Sequence, residues 1–399
     1  MPTYYNYTEN GVVIPIDDIF LTSDAFRQGN LWTWGDNGSG QLGDTTQTDR
    51  STPVTTFAGG VNWKQVSVAR AHTAAIKTDG TLWIWGNNYG GRIGDNTTTN
   101  RSTPVTTFAG GTNWKQVSGG NSHTAAIKTD GTLWTWGRNS YGQLGSTSLS
   151  TSTSTPITTS AGGTNWKQVS CRRGCTTAIK TDGTLWTWGE NSYGQLGDNT
   201  KTNKTTPVTT FAGGTDWKQV SCGGWHTAAI KTDGTLWIWG ENFGAKIGDN
   251  TTIDKSTPVT TFAGGTNWKQ VACGGNHTAA IKTDGTLWIW GRNNLGQLGD
   301  NTTTNRTTPV TTFAGGTDWK QVACDMDCTF AIKTDGTLWG WGDNGADNFI
   351  SSVGTGQLGN NGITVRTTPV TTFAGGTNWK QVSVGYQHTA AIEYIDTYQ

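Results

Sequence analysis

The chain has 399 residues, of which 57 are glycine and 22 are tryptophan, and only 14% are charged. Its 28 lysines and arginines balance its 28 aspartates and glutamates without forming a basic run, which argues against nucleic acid or an anionic membrane surface as a partner. No apolar stretch approaches the roughly 20 residues of a spanning helix, and Met1–Asn10 lacks the features of a secretory signal. We therefore expect neither membrane insertion nor secretion.

Residues 1–28 precede all repeated sequence and are rich in aromatic and β-branched residues. A segment this short has no core of its own, so it must pack on the rest of the protein or on a partner. We expect it to be an N-terminal arm that attaches the protein to an assembly partner, with packing on its own body as the alternative. The anchoring side chains would be Tyr4, Tyr5, Tyr7, Ile14, Ile16 and Phe20.

From residue 29 onward the chain repeats one module. The tryptophan of an Asn/Asp-Trp-Lys-Gln-Val segment recurs seven times, at spacings of 51, 52, 51, 51, 51 and 60 residues: Trp63, Trp114, Trp166, Trp217, Trp268, Trp319 and Trp379. A strand-like period near 50 is typical of a propeller blade. The prediction is an all-β fold in which residues 29–399 form a single seven-bladed β-propeller with four antiparallel strands per blade.

The copy from Asn113 to Gly163 shows the expected order of elements within one module. Asp-Gly between two strand-like runs predicts a two-residue type I′ hairpin at Asp130-Gly131. A Gly-Gln-Leu-Gly loop then leads to an outer strand that begins at a proline, where no ladder hydrogen bond is lost. The four predicted strands are Trp114–Ser118, His123–Thr129, Thr132–Gly137 and Pro156–Thr159.

The two ends of the repeated region predict closure of the ring. Six modules contain an Asp-Gly hairpin, but the seventh is cut open there. The repeats begin with the third-strand sequence 29–34 and end with the second-strand sequence 388–393. Pairing them would give one blade shared by both termini and would remove the sheet edges of an open array.

These motifs resemble the regulator of chromosome condensation repeat family. The family pattern Trp-Gly-x-Asn-x-x-Gly-Gln-Leu-Gly is present at Trp136–Gly145, and Val-x-x-Gly-x-x-His-Thr is present at Val220–Thr227. The resemblance covers about residues 29–395 and implies a seven-bladed propeller. It also implies several functions, because the family includes exchange factors for a small nuclear GTPase, ubiquitin ligases and adaptors, and a shared fold does not carry function.

Three features distinguish this chain from the exchange factors: it lacks a basic tail, a nuclear-targeting run and a wedge-like insertion in an early blade. Lys-Thr-Asp-Gly-Thr-Leu-Trp recurs unchanged six times. Such uniform copies are most similar to the bacterial and phage members of the family, which include virion proteins. The expected location is therefore the virion if the chain is phage-encoded, and otherwise the cytoplasm.

The copies differ mainly in the turn after the first strand and in the loop after the third strand, which also carries a nine-residue expansion in 343–356. An up-and-down blade places both on one face, here called the variable face. We expect exposed side chains there to bind a partner, with Lys77, Lys128 and Lys231 beside the constant hairpins taking no part; drift in unimportant loops is the alternative. The expected binding residues are Arg70, Tyr89, Tyr141, Arg172, Arg173, Tyr193, Trp225, Phe243, Asn276, Asp325, Asp327 and Tyr386.

Five histidines share one module position, and Cys175 and Cys328 occupy it in the other two modules. We expect each histidine to bond the backbone of its own turn and each cysteine to be a small core residue. A zinc-binding ring, calcium ligation by Asp343 and Asp347, and disulfides within the two Cys-x-x-x-Cys pairs are the alternatives. We expect no metal, no cofactor and no catalytic constellation.

The sequence thus predicts a non-enzymatic binding or structural propeller. Our first interpretation is a phage virion component, such as a fibre, tail or capsid-surface protein, that is held by residues 1–28 and binds a protein or a host-surface glycan. One alternative is a regulator resembling the exchange factors, which would dock a small GTPase. Another is a lectin with one shallow sugar site per blade, served by the loop aromatics.

Overall fold

A computed structural model describes residues 8–9, 12–13, 28–147, 151–345 and 355–395. In the arm, the strands Thr8–Glu9 and Val12–Val13 pair with each other. The six expected anchoring residues lie outside the described residues, as do Asp347 and most of the loop expansion, residues 346–354. Among the described residues, no helix is long and apolar enough to cross a membrane.

Seven four-stranded antiparallel sheets make the seven blades, which we number one to seven from the sheet that begins at Trp63. In each blade the sequence runs outward through an inner, a second, a third and an outer strand. The inner strands are Trp63–Val68, Trp114–Gly119, Trp166–Arg172, Trp217–Cys222, Trp268–Cys273, Trp319–Cys324 and Trp379–Val384. The second strands are His72–Lys77, His123–Lys128, Cys175–Lys180, His226–Lys231, His277–Lys282, Cys328–Lys333 and His388–Ile395.

The third strands of blades one to six, and then of blade seven, are Leu82–Gly86, Leu133–Arg138, Leu185–Gly189, Leu236–Gly240, Leu287–Gly291, Leu338–Gly342 and Gln28–Gly35. The outer strands, in the same order, are Arg101–Thr106, Ser152–Thr158, Lys204–Thr209, Lys255–Thr260, Arg306–Thr311, Arg366–Thr371 and Arg50–Thr55. A 3₁₀ turn spans Tyr89–Gly91. The predicted seven-bladed all-β fold is confirmed.

Blade seven is built from both ends of the repeated region, as predicted. Its third strand pairs with its second strand over eight residues, from Gln28 opposite Ile395 to Gly35 opposite His388. Ala390 and Ile392 pack into the cluster shared with blade one, and Ala391 packs into the cluster shared with blade six. The last strand therefore joins the two neighbouring blades as well as completing its own.

The constant hairpin differs from the predicted type I′ turn. Gly131 has φ of +80°, but Asp130 does not have a positive φ. The amide of Gly131 donates to the carbonyl of Lys128, and the amide of Lys128 donates to the carbonyl of Thr132. The Asp130 carboxylate accepts from both the amide and the hydroxyl of Thr132, which holds the aspartate in an ordinary turn conformation. The result is a three-residue loop with a glycine bulge.

The outer strand also differs from its prediction. In blade two the outer strand begins at Ser152 rather than at Pro156. The proline lies where the register shifts between Thr135 and Gly137 of the third strand. A proline is accommodated at such an irregularity on an outermost strand because no ladder hydrogen bond is required from its nitrogen.

Two sets of hydrogen bonds join neighbouring blades. Gln65 of blade one donates from Nε2 to the carbonyl of Val117 and accepts the amide of Val117 at Oε1, and the same pair of bonds recurs in every blade until Gln381 closes the ring on Val66. The Gln41 carbonyl, in the Gly-Gln-Leu-Gly loop, accepts from Trp85 Nε1 and Thr73 Oγ1 of the next blade. The sequence motif thus serves blade-to-blade attachment.

The lysines beside the constant hairpins are part of the scaffold. Lys77 Nζ lies 4.7 Å from the centre of the Trp63 ring and 4.9 Å from that of Trp83. Five further blades repeat this arrangement, whereas blade seven replaces it with a hydrogen bond from Trp32 Nε1 to Glu393. Lys77, Lys128 and Lys231 are therefore packed side chains that stabilise the blade.

Candidate interaction face and channel mouth

The variable turns and loops lie on one face, as the up-and-down topology predicts. Within each blade, the residue that follows the Trp-Gly pair of the third strand donates its amide to the carbonyl of the last residue in the first turn. In blade one this bond joins Asn87 to Ala71 at 2.8 Å, and in blade four it joins Glu241 to Trp225 at 2.8 Å. The first turns therefore surround the channel mouth, and the longer loops lie outside them.

The expected binding residues are not uniformly exposed. Arg70, Tyr89, Tyr141 and Phe243 are exposed, whereas Arg172, Arg173, Tyr193, Trp225, Asp327 and Tyr386 are half-buried. Asn276 and Asp325 are buried, with 7% and 1% of their surface accessible. The expectation of exposed turn side chains is therefore wrong for these two residues, and for Arg172 it holds only in small part, because these turns converge on the narrow mouth of the channel.

Blades one to three carry a basic surface with aromatic partners. The guanidinium of Arg70 lies 5.4 Å from the centre of the Tyr386 ring, and that of Arg138 lies 5.9 Å from the centre of Tyr89. Between them Arg92 is buried; burial, together with the charges of Arg70 and Arg138, lowers its pKa to about 10. Arg92 and Arg138 were not among the predicted binding residues, although Arg92 stands where most copies have glutamine.

A second cluster surrounds Trp225 in blade four. The guanidinium of Arg173 stacks 3.5 Å from the centre of the indole, Lys246 Nζ lies 5.3 Å from it, and Tyr193 meets it edge to face at 6.3 Å. Lys246 also pairs with Glu241. Lys246 and Arg92 occupy the same loop position, where the other copies have the glutamine of Gly-Gln-Leu-Gly. Both substitutions place a cation beneath the variable face.

Blade six carries two acidic side chains on the same face. Asp327 accepts hydrogen bonds from Asn276 Nδ2 and Gln297 Nε2, and burial raises its pKa. Burial also raises the pKa of Asp343, and the nearby negative charge of Asp327 raises it further. The variable face therefore carries arginines over blades one to three, where Glu190 lies near Arg173, and carboxylates over blade six.

One ion pair spans the mouth of the channel. Arg172 of blade three and Asp325 of blade six occupy equivalent turn positions, and a guanidinium nitrogen of Arg172 contacts the Asp325 carboxylate. The Arg172 side chain is 14% exposed and that of Asp325 1% exposed. Burial lowers the pKa of Arg172 to about 10, which leaves it charged at neutral pH.

The other five blades have alanine or glycine at this position because a histidine occupies the space above it. A Cβ added to Gly223 would lie 2.4 Å from His226 Cε1, and one added to Gly120 would lie 2.4 Å from His123 Cε1. Blades three and six, which carry Arg172 and Asp325, have Cys175 and Cys328 in place of the histidine. The smaller cysteine provides the room for a long or charged side chain.

The histidines bind the next blade rather than their own turn, so that expectation is wrong. His226 Nε2 lies 2.8 Å from Thr278 Oγ1, and this hydroxyl donates its proton to the carbonyl of Lys246. The threonine must therefore accept, which assigns the proton of the imidazole to Nε2. Nδ1 is buried without a hydrogen-bond partner in all five histidines.

All six cysteines lie in the described part of the chain, and all are buried free thiols. Burial raises the pKa of the Cys171 and Cys273 thiols and raises that of Cys324 to about 12. Among the described residues, no three histidine, cysteine or acidic side chains are arranged to hold a metal ion. The cysteines pack as small core residues, as expected.

We expect Asp325→Ala to lower the free energy of unfolding by about 3–5 kcal/mol, because it leaves the buried Arg172 guanidinium without a counter-charge. Replacing both partners, Arg172→Met with Asp325→Leu, should be nearly neutral for stability. Chemical denaturation of the three proteins measures this difference. Equal stability of wild type and Asp325→Ala would show that the pair is solvated rather than buried.

The chain matches known proteins along most of its length. The model of the RCC1-like domain matches residues 19–310. The chain is 33% identical over 283 residues to the ultraviolet-B receptor UVR8 of Arabidopsis thaliana, covering 70% of this chain and 64% of the receptor. It is 28% identical over 374 residues to mitochondrial RUG3 of the same plant, covering 85% of this chain and 81% of RUG3.

Other similar proteins share part of the sequence or the fold of this chain. Human HERC2, an E3 ubiquitin-protein ligase, is 29% identical over 269 residues, which are 66% of this chain but 6% of the ligase. Human WBSCR16 superposes with a TM-score of 0.79 at 20% identity, covering 92% of this chain and 99% of that one. Yeast RCC1 (Prp20), solved with Kap60, superposes with a TM-score of 0.78 at 17% identity, covering 94% and 90%. The structural matches agree with the seven-bladed fold, and on the match to residues 19–310 the chain belongs to the RCC1-like domain family.

Proposed function

We infer that this protein is a non-enzymatic regulatory propeller that binds a protein partner through its variable face. The observation that carries this proposal is the concentration of arginine and aromatic side chains over blades one to three and the adjoining turn of blade seven, where Arg70 stacks on Tyr386 and Arg138 stacks on Tyr89. Arginine, tyrosine and tryptophan are the residues that most often dominate the free energy of protein binding. The opposite edge repeats nearly unchanged from blade to blade.

Stacking gives these side chains a second property of good binding sites. A guanidinium held against an aromatic ring has lost much of its freedom before binding, yet its edges still donate hydrogen bonds. The arginines over blades one to three and the carboxylates over blade six would also orient a partner of complementary charge. We also propose that residues 1–28 attach the protein to a partner and that residues 29–399 form one propeller, although the third strand of blade seven begins one residue earlier, at Gln28.

Among partners, a small GTPase is the candidate that the comparisons favour. The yeast protein Prp20, whose propeller superposes on this chain, is described as binding Gsp1p and histones. The named relatives are a plant receptor, a mitochondrial protein and ligases, which favours a regulator over the virion component and the lectin expected from the sequence. HERC2 is far longer than the matched segment, so its ligase name does not argue for catalysis by this propeller.

The triple variant Arg70→Ser, Tyr89→Ser and Arg138→Ser should lose about 2 kcal/mol or more of partner-binding free energy with little change in stability. The matched control is Lys64→Ser with Lys115→Ser, which removes the same two positive charges from blades one and two at the opposite edge, where both lysines are exposed. Affinity capture followed by binding titration compares the three proteins. A partner lost equally from both variants, or from the control alone, would contradict the proposal.

Nucleotide release tests the GTPase candidate separately. Wild-type protein at substoichiometric concentration should accelerate the release of fluorescent GDP from its cognate GTPase, and the triple variant should not. A partner that binds the variable face without nucleotide exchange would leave the binding proposal intact and would remove the exchange-factor candidate.

A further inference from the structure

We propose that the mouth of the central channel is a carboxylate-binding site, in which Arg172 receives an acidic side chain from the docked partner. The inference rests on the proposed function and specifies what the centre of the variable face recognises. Its ligand is an aspartate or glutamate side chain in a protruding acidic segment of the partner protein.

The mouth contains a cavity of suitable size. It has a volume of about 220 Å³, and the residues that line it include Arg70, Arg172, Arg173, Asp325, Met326 and Tyr386. Pockets that enclose a whole cofactor or drug-sized molecule are larger, about 300–1,000 Å³. The mouth therefore fits a single side chain delivered from above rather than a free cofactor.

The charge of this cavity is unbalanced. Three arginines line it, Arg70, Arg172 and Arg173, against one acidic residue, Asp325. Glu190 and Glu241 act electrostatically on Arg173, but neither lines the cavity. A carboxylate that enters the mouth would meet a net positive site in surroundings shielded from water, where charge-assisted hydrogen bonds are strongest.

Arg172 is held in a position to receive it. Its contact with Asp325 uses one terminal nitrogen of the guanidinium. The described residues provide no further hydrogen-bond partner for the remaining N–H groups of Arg172, and Arg172 is one of the residues that line the cavity. A guanidinium presents five donors in a planar fork, so Asp325 can orient Arg172 while a second carboxylate binds another edge.

The walls suit the apolar part of an acidic side chain. Met326 supplies a thioether on one side, and the Tyr386 ring, covered by Arg70 at 5.4 Å, supplies an aromatic edge on the other. The methylene groups of a glutamate could pack against both while its carboxylate reaches Arg172.

Stability alone does not account for the ion pair. A buried pair is worth little more than apolar side chains of the same size, because desolvation offsets the attraction. Five blades of the same chain fill the equivalent space with alanine or glycine beneath a histidine. Blades three and six instead carry charges, together with the cysteines that make room for them, so a binding role is favoured for Arg172.

The test uses the full chain and a capped tetraglutamate peptide, with a capped tetraglutamine peptide as its uncharged match and inorganic phosphate as a second anion. Calorimetric titration should show that wild type binds the glutamate peptide and not the glutamine peptide. Arg172→Met with Asp325→Leu should bind the glutamate peptide about tenfold or more weakly while keeping the wild-type thermal midpoint. Arg70→Gln should also weaken binding, whereas Lys64→Gln, which removes an equal charge at the opposite edge of blade one, should leave it nearly unchanged.

Three outcomes would overturn the inference: equal peptide binding by wild type and the Arg172→Met, Asp325→Leu protein, equal loss in Arg70→Gln and Lys64→Gln, or binding of phosphate without the peptide. If the double variant unfolds, Arg70→Gln against Lys64→Gln still decides the result. Partner binding that survives Arg172→Met with Asp325→Leu but is lost in the Arg70→Ser, Tyr89→Ser and Arg138→Ser triple variant would refute the mouth site alone. Partner binding that survives both sets would refute the proposed function itself.

Discussion

Deletion of residues 388–399 should abolish cooperative folding of the whole propeller, because it removes the second strand of blade seven. That strand forms eight register pairs with Gln28–Gly35. It also places Ala390 and Ile392 in the core shared with blade one and Ala391 in the core shared with blade six. A fully buried isoleucine such as Ile392 contributes about 1.5–3 kcal/mol by itself, and the deletion would expose two blade interfaces as well. Circular dichroism and heat-induced unfolding measure the loss.

A circular permutant serves as the control, because it keeps the second strand of blade seven and only moves the chain termini to another blade. In this variant, Ile395 is joined to Gln28 by a short glycine-containing turn, and the chain is opened instead at the exposed hairpin Asp182-Gly183, with residues 1–27 and 396–399 removed. Such sites tolerate new termini, so the permutant should keep the wild-type unfolding midpoint. A deletion variant as stable as the permutant would contradict the role assigned to the shared blade.

Stability should fall steeply as the pH is lowered from about 6.5 towards 5. Burial lowers the pKa of His123, His277 and His388 to about 3 and lowers that of His72 and His226 well below its usual range. The folded state therefore binds fewer protons than the unfolded state between the two pKa values. The stabilisation is complete above the unfolded pKa of about 6.5 and is lost progressively as the pH falls towards the folded pKa. The main cause is burial, which keeps water from the imidazolium, and the charges of Arg92 near His72 and of Lys246 near His226 add to it.

Each histidine should contribute about 1.4 kcal/mol per pH unit within that window. The raised pKa values of Asp327 and Asp343 act in the opposite direction, because those carboxyls take up protons more readily in the folded state. The chain itself provides the matched variants, since blades three and six already carry cysteine at this position. His226→Cys with His277→Cys should reduce the histidine part of the pH dependence by two of five groups, measured by urea unfolding at several pH values. An unchanged slope would contradict the assignment.

The repeat and its closure were predictable because they depend on local pattern. Seven Trp-Lys-Gln-Val segments near 50 residues apart, six Asp-Gly hairpins and one interrupted copy are visible without any long-range information. They predict the blades, the common face of the variable turns and the pairing of the two ends. The turn type at Asp130-Gly131 was predicted wrongly, because the side chain of Asp130 bonds Thr132 and holds the aspartate out of the left-handed region.

The site depends on tertiary structure because equivalent turns meet only when the ring closes. Arg172 and Asp325 are 153 positions apart in the sequence and belong to different blades, so nothing local indicates that they pair across the channel. The same convergence buries Asn276, whose turn looked exposed. The histidines likewise bond a threonine of the next blade, as His226 bonds Thr278. The sequence by itself determined the repeating unit, the number of copies and the closure of the ring, because these arise from local pattern. Which side chains share the mouth was decided only by the packing of seven blades around one axis, because it depends on contacts between blades.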